Sequence, residues 1–175
     1  MKPTTLYQIA DDYTTALDHL NESLRIGKDG DWIHRQCFAN IALGNVHRLQ
    51  RDFETARRHL HTAYNQAQQL QYTREEALAL EFLGDVFRDE GNPAQAQRYY
   101  RRGLALARSL APDGDLVMEL LRRQGECLDL EGRHEEALEV LISSLTPEAD
   151  GTRAALGLRY QAGRILEELG RGDEA

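Results

Sequence analysis

The sequence predicts an all-α chain of stacked helical hairpins, and three observations predict it. Gly44, Gly84, Gly125 and Gly163 follow one another at intervals of 40, 41 and 38 residues. Each stands twelve residues before an alanine: Ala56, Ala96, Ala137 and Ala175. A fixed period in this range marks a repeat array in which each unit buries its apolar face against its neighbours. Within a unit, apolar residues recur at three- and four-residue steps, as at Ala56, Leu60 and Ala63, which is the period of a helix face. Turn signals fall between these runs: Gly27-Lys28-Asp29-Gly30, Arg51-Asp52, Gly91-Asn92-Pro93, Glu131-Gly132.

In chain order, Pro3–Ala10 reads as the last turns of a helix, Asp11-Asp12 as a corner, and Asp12 as the cap of a helix to Ile26. Ala16, Leu17, Leu20 and Leu24 form the apolar stripe of that helix. Asp31 is placed to cap a helix over about Trp32–Gln50, followed by one over Phe53–Leu70. Thr73-Arg74-Glu75-Glu76 has the spacing of a capping box, in which Thr73 accepts from the Glu76 amide and the Glu76 carboxylate reaches back. That helix ends at Glu90-Gly91. Asn92 then caps the next, with Pro93 at the first position, where a missing amide hydrogen costs nothing. The spacing predicts further helices from a cap at Asp115 to Leu130, to near Leu145, and over Thr152–Leu169. Thr146–Gly151 is a link and Gly170–Ala175 the start of another hairpin arm. Eight substantial helices with a truncated stub at each end are therefore expected.

The repeated set Leu43-Gly44, Ala56, Leu60, Ala63, then Leu83-Gly84, Ala96, Tyr100, Gly103, then Gly125, Ala137, Leu141, Ser144 resembles the tetratricopeptide repeat. Ala16, Leu20 and Ser23 fit the second half of an earlier unit, so the resemblance spans nearly the whole chain. It implies a single array over 1–175, with units near 1–28, 31–70, 73–110, 113–145 and 152–175. It also implies a right-handed superhelix of antiparallel hairpins, an α-solenoid. The period exceeds the roughly 34 residues usual in that family, so each helix should be longer by almost a turn. The usual aromatic near the start of helix A is replaced by Asn40, Leu80, Leu121 and Arg159.

The chain has 175 residues, 29% of them charged, and a mean hydropathy of −0.59, which suits solvated helix surfaces. No apolar run approaches the ~20 residues needed to span a bilayer, and the N-terminus lacks the apolar core of a signal peptide; a cytoplasmic location is expected. Arg outnumbers Lys by 19 to 2, as in GC-rich bacterial coding. Residues 113–175 hold 15 acidic and 7 basic side chains and carry the whole net charge of −8. An acidic end opposes contact with a phosphate backbone.

Sites of chemistry are not nominated. No glycine belongs to a phosphate-binding pattern, and the mid-helix glycines read as points of close helix approach. Cys37 and Cys127 read as reduced thiols within packed helices. His59 and His61 point to different faces of one helix, and His47 takes a place filled by Phe87, Leu128 and Leu166 in other units, so packing explains it. No catalytic residue, metal or cofactor is expected, and an enzyme is not expected. Arg98, Arg101, Arg102 and Arg108 form a basic run on a helix B, the convex side in this family, and nucleic acid is not expected to bind there.

The family's inner face is lined mainly by helix A. Counting from each mid-helix glycine, the resemblance implies groove positions at Phe38, Ile41, Asn45 and Arg48, then Leu78, Glu81, Asp85 and Arg88. Glu119, Arg122, Glu126 and Asp129 follow, then Tyr160, Arg164 and Glu167. Such a groove begins partly apolar and becomes charged with both signs. It suits a protein or peptide partner, in a sensor or docking module of a larger bacterial regulatory protein. The alternative is a small-molecule-sensing array of a transcription regulator, with its ligand in the groove. A carboxylate-clamping role is disfavoured because Ile41 stands where a Lys is wanted. The chain starts and stops inside repeat units, as a piece of a longer array would. Apolar faces around Leu6, Ile9, Ile165 and Leu169 are expected to be uncovered and to promote self-association.

Overall fold

The computed structural model describes residues 4–143, 145 and 153–170, with side chains described at 12–143, 145 and 155–170. These residues form eight α-helices and no strand: α1 (Thr4–Asp29), α2 (Ile33–Leu49), α3 (Phe53–Leu70), α4 (Thr73–Asp89), α5 (Pro93–Leu110), α6 (Asp115–Leu130), α7 (His134–Ser143) and α8 (Arg153–Glu168). The chain divides into two compact units, Met1–Val86 and Phe87–Ala175.

In the first unit α2 packs against both α1 and α3. Leu24, Ala39 and Leu43 close the α1–α2 contact, with Leu17 and Leu20 beside them. Cys37, Ile41, Ala63, Ala67 and Ala79 form a second cluster, with Tyr64, Tyr72, Leu78 and Phe82 around it. In the second unit α6 is central and touches α5, α7 and α8. Ala96, Tyr100, Leu104, Leu120 and Cys127 belong to one cluster, and Met118, Leu138, Leu141, Leu158 and Ile165 to another. Burying a leucine of this kind contributes about 1.5–3 kcal/mol.

Gly44 and Gly125 make two of these contacts close. A Cβ on Gly125 would stand 2.7 Å from Leu141 Cδ2, so α6 and α7 approach through bare backbone. The sixteen-residue offset is the same as from Gly44 to Leu60 in the first unit. Cys37 and Cys127 are buried and are not joined in a disulfide. Burial, with Glu75 nearby, pushes the Cys37 thiol up to about 11, so it is held protonated.

The structure revises several helix ends. Asp11-Asp12 is no corner: α1 runs unbroken through it, because nothing there removes an amide hydrogen or demands a turn. Asp31 does not cap α2; it adopts φ 52, and Trp32 stands at the cap without a side-chain bond. Thr73 already lies within α4, where the Glu76 amide donates to the Tyr72 carbonyl over 2.9 Å. The Glu76 carboxylate instead accepts from Gln68 Nε2 at 3.0 Å. Gly114, not Asp115, is the α6 cap residue. Asn92 does cap α5, accepting from the Gln95 amide at 3.1 Å with Pro93 behind it. Asp52 caps α3 in the same way, accepting from Thr55 at 3.2 Å. The link Thr146–Gly151 and residues 171–175 lie outside the described residues, as do the Leu6 and Ile9 side chains. Ile165 is fully buried among α6, α7 and α8 residues, so it is not an uncovered end; Leu169 is 36% exposed.

Candidate binding faces of the two units

In the first unit the helix A positions differ sharply in what they offer. Phe38 is 50% exposed, and its ring meets the His34 ring edge-on at 5.6 Å. His34 in turn lies 4.9 Å from the Tyr72 ring and 3.0 Å, through Nε2, from Glu75 Oε1. This is an aromatic surface with a carboxylate beside it. Ile41 is buried in the α2–α3 core. Leu78 is half-buried against that core, whereas Glu81 and Asp85 are buried. Asn45 and Arg48 are half-buried and joined, Arg48 Nε and Nη2 donating to Asn45 Oδ1 at 3.1 and 2.9 Å.

Behind this face runs a polar chain. Gln36 Nε2 donates to the Gly27 carbonyl, Gln66 Nε2 to Gln36 Oε1, and Asn40 Nδ2 to Gln66 Oε1. Because the Asn40 amide nitrogen is spent on Gln66, its Oδ1 accepts from His59 Nδ1 at 2.9 Å. That fixes the proton of neutral His59 on Nδ1. His59 stacks on His47 with ring centroids 5.6 Å apart and planes 3° from parallel. Burial, followed by the charges of His47, Arg58 and Lys28, lowers the His59 pKa. His47 is thus the half-buried packing residue that its place in the repeat implies.

In the second unit the charged helix A positions come together. Arg88 Nη1 donates to Glu126 Oε2 at 2.9 Å, and Arg122 donates both to Glu126 and, at 2.8 Å, to Glu119. Arg123 also pairs with Glu119, and Arg88 with Asp89 at 3.0 Å. A second group is centred on Asp129, whose side chain is 7% exposed. Asp129 accepts from Arg164 and lies 2.8 Å from His134 Nδ1; Arg164 also reaches Glu168 at 2.6 Å. Arg88, Glu126, Asp129, Leu130, His134, Gln161, Arg164 and Glu168 line one recess. Gly157 of α8 leaves room for the Arg122 stem, whose Cδ would be 3.2 Å from a Cβ there. Tyr160 is 76% exposed and Glu167 is exposed; neither joins the pairs described.

Pairing of this kind dominates the electrostatics. Burial raises the Glu119 pKa, but the Arg122 hydrogen bond and the Arg123 and Arg122 charges outweigh it and leave the carboxyl at about 2. The Arg122 pKa is raised, chiefly by its bond to Glu119. The same-helix pairs were readable as three- and four-residue spacings. Arg88–Glu126 and Arg164–Asp129 were not, and His134, Gln161 and Glu168 carried no signal in the sequence that tied them to this recess.

Comparison with known proteins bears on the fold and family. The tetratricopeptide repeat profile matches residues 36–109 and 75–146. Among curated proteins none matches. A crystal structure of a Podosopora anserina protein assigned as a kinesin light chain, with nearly identical TPR-like repeats, is similar at TM-score 0.70 and 14% identity. The match covers 97% of this chain and 85% of that one. A variant of the same protein, with one glutamine replaced by methionine, is similar at TM-score 0.71 and 14% identity, over 97% and 84% of the two chains. At this identity the likeness concerns the fold, an all-α helical-repeat architecture. Among the described residues no helix is long and apolar enough to cross a membrane.

Proposed function

The chain belongs to the tetratricopeptide repeat family, and from that premise we propose that it is a non-catalytic scaffold that captures a protein or peptide on its helix A faces. The observation that carries this reading is the contrast along those faces. Phe38 and Tyr160 stand 50% and 76% exposed, each on the same helix as polar groups already held in place by hydrogen bonds or ion pairs. Large exposed aromatics bring apolar area at little entropic cost, and pre-paired charges around them favour a partner that presents both signs. We further place this scaffold in the cytoplasm, as the docking or sensing module of a larger bacterial regulatory protein. That context draws on the Arg-over-Lys composition and the repeat period near 40 residues.

The test is capture of a partner by Phe38→Ala and Tyr160→Ala, singly and together. Exposed side chains contribute little to folding, so the variants should melt with the parent while losing the partner at least tenfold. The Arg101→Ala/Arg102→Ala variant, altered on exposed positions of α5, should keep it. Loss of the partner in the α5 variant with retention in the aromatic variants overturns the assignment. A metabolite that binds tightly with no protein partner present would instead favour the small-molecule reading.

A further inference from the structure

The recess around Asp129 holds a second arrangement that peptide capture does not require. One ligand atom each from Asp129, His134 and Glu168 lie within 4.8 Å of one another. Asp129 comes from the end of α6, His134 opens α7, and Glu168 closes α8. Three helix ends therefore deliver two carboxylates and an imidazole to one point. Gln161 lines the same recess. It is 7% exposed, and its Nε2 is buried with no hydrogen-bond partner. That nitrogen is a donor and cannot bind a cation, but turning the amide over puts its oxygen, a metal ligand, in the same place. Gln161, Arg164 and Glu168 share one stripe of α8 at three- and four-residue steps.

Arg164 occupies the position a cation would take. It donates to both Asp129 and Glu168, so its single positive charge offsets part of the repulsion between two carboxylates. Its side chain is 40% exposed and can swing into solvent. With Arg164 withdrawn, Asp129 and Glu168 leave two negative charges, while Arg88 and Glu126 on the same wall neutralise one another at 2.9 Å. Two negative charges match a dication. Imidazole nitrogen with carboxylate and amide oxygens, and no thiolate, suits a divalent first-row ion rather than a soft monovalent one. Metal–ligand bonds of about 2.0–2.2 Å call for the three side chains to draw in from ligand atoms that now lie within 4.8 Å of one another.

We propose that Asp129, His134 and Glu168, with the Gln161 amide oxygen as fourth donor, bind a divalent transition-metal ion of the zinc class, which enters by displacing the Arg164 guanidinium. The amide of Gln161 turns its oxygen inward when the ion enters. The site acts as a clasp on α6, α7 and α8, and it stands independently of the peptide-capture reading.

The experiment is calorimetric titration of the tag-free full chain with zinc chloride, with cobalt(II) absorption as a report of ligand type. One ion per chain is expected, with a cobalt spectrum of nitrogen and oxygen ligands and no thiolate band. His134→Ala and the conservative Glu168→Gln, exposed at a helix end, should each weaken zinc at least tenfold. Arg164→Met keeps the stem and removes the competing charge, and should tighten zinc severalfold. His61→Ala, in the other unit and outside the faces described, should leave zinc binding unchanged. Absence of saturable one-site binding, insensitivity to both His134→Ala and Glu168→Gln, or weaker zinc in Arg164→Met overturns the proposal. Loss of zinc with partner capture intact, or the reverse, tells the two readings apart.

Discussion

A Cβ placed on Gly44 would stand 2.5 Å from Leu60 Cγ and 2.7 Å from its Cδ2. The backbone of α2 is thus in direct contact with a leucine that is itself fully buried on α3. Close approach compensates for a residue that helices disfavour by roughly 1 kcal/mol relative to alanine.

Gly44→Ala should therefore destabilise the protein although it improves helix propensity. Overpacking costs about 1–3 kcal/mol, and Leu60→Ala alone about 2–5 kcal/mol. The double variant should lose less than the sum, with a coupling of about 0.5–3 kcal/mol, because the added methyl fills space that the shortened side chain vacates. Urea unfolding of the four proteins measures the cycle. Additive losses would mean that the two residues do not compete for the same volume.

His59 should make stability depend on mildly acidic pH. Its pKa in the folded chain is lowered from 6.5, so the unfolded chain takes up the proton first as pH falls. Stability is then complete above the ordinary value and is lost progressively below it. Thermal melts between about pH 7.5 and 5.5, the range that brackets an unperturbed histidine, should show a smaller drop in Tm for His59→Asn than for the parent. An unchanged drop would assign the acid sensitivity to another group.

Glu119 acts in the opposite chemical sense but with the same sign of slope. Its folded pKa lies at about 2, lowered from 4.5. Its contribution is therefore present above 4.5 and disappears as pH falls from there towards 2. Glu119→Gln should be less stable than the parent at neutral pH, and the two should converge over that acid window. Curves that stay parallel would show that Arg122 and Arg123 do not hold the carboxylate in solution.

The repeat, the all-α class and most helix limits are legible in residue spacing and turn chemistry alone. Gly44 and Gly125 sit at packed contacts as their mid-helix place implied, and Asn92-Pro93 opens α5 as its chemistry demands. These are short-range facts: periodicity and capping act over one or two turns. Sequence reading failed where a local preference was weak, as at Asp11-Asp12, or where the true cap lay one residue away, as at Tyr72 and Gly114.

Which charges face solvent and which face each other depends on how the helices pack. Glu81 and Asp85 occupy the same kind of helix A position as Arg122 and Glu126, yet they are buried while the latter two are half-exposed. Asp129 and Arg164, 35 residues apart, meet because α6 and α8 pack side by side, which no local pattern specifies. A charged residue's environment is set by the neighbouring helix, and the distance between helices follows from how small residues such as Gly44 and Gly125 let their backbones approach.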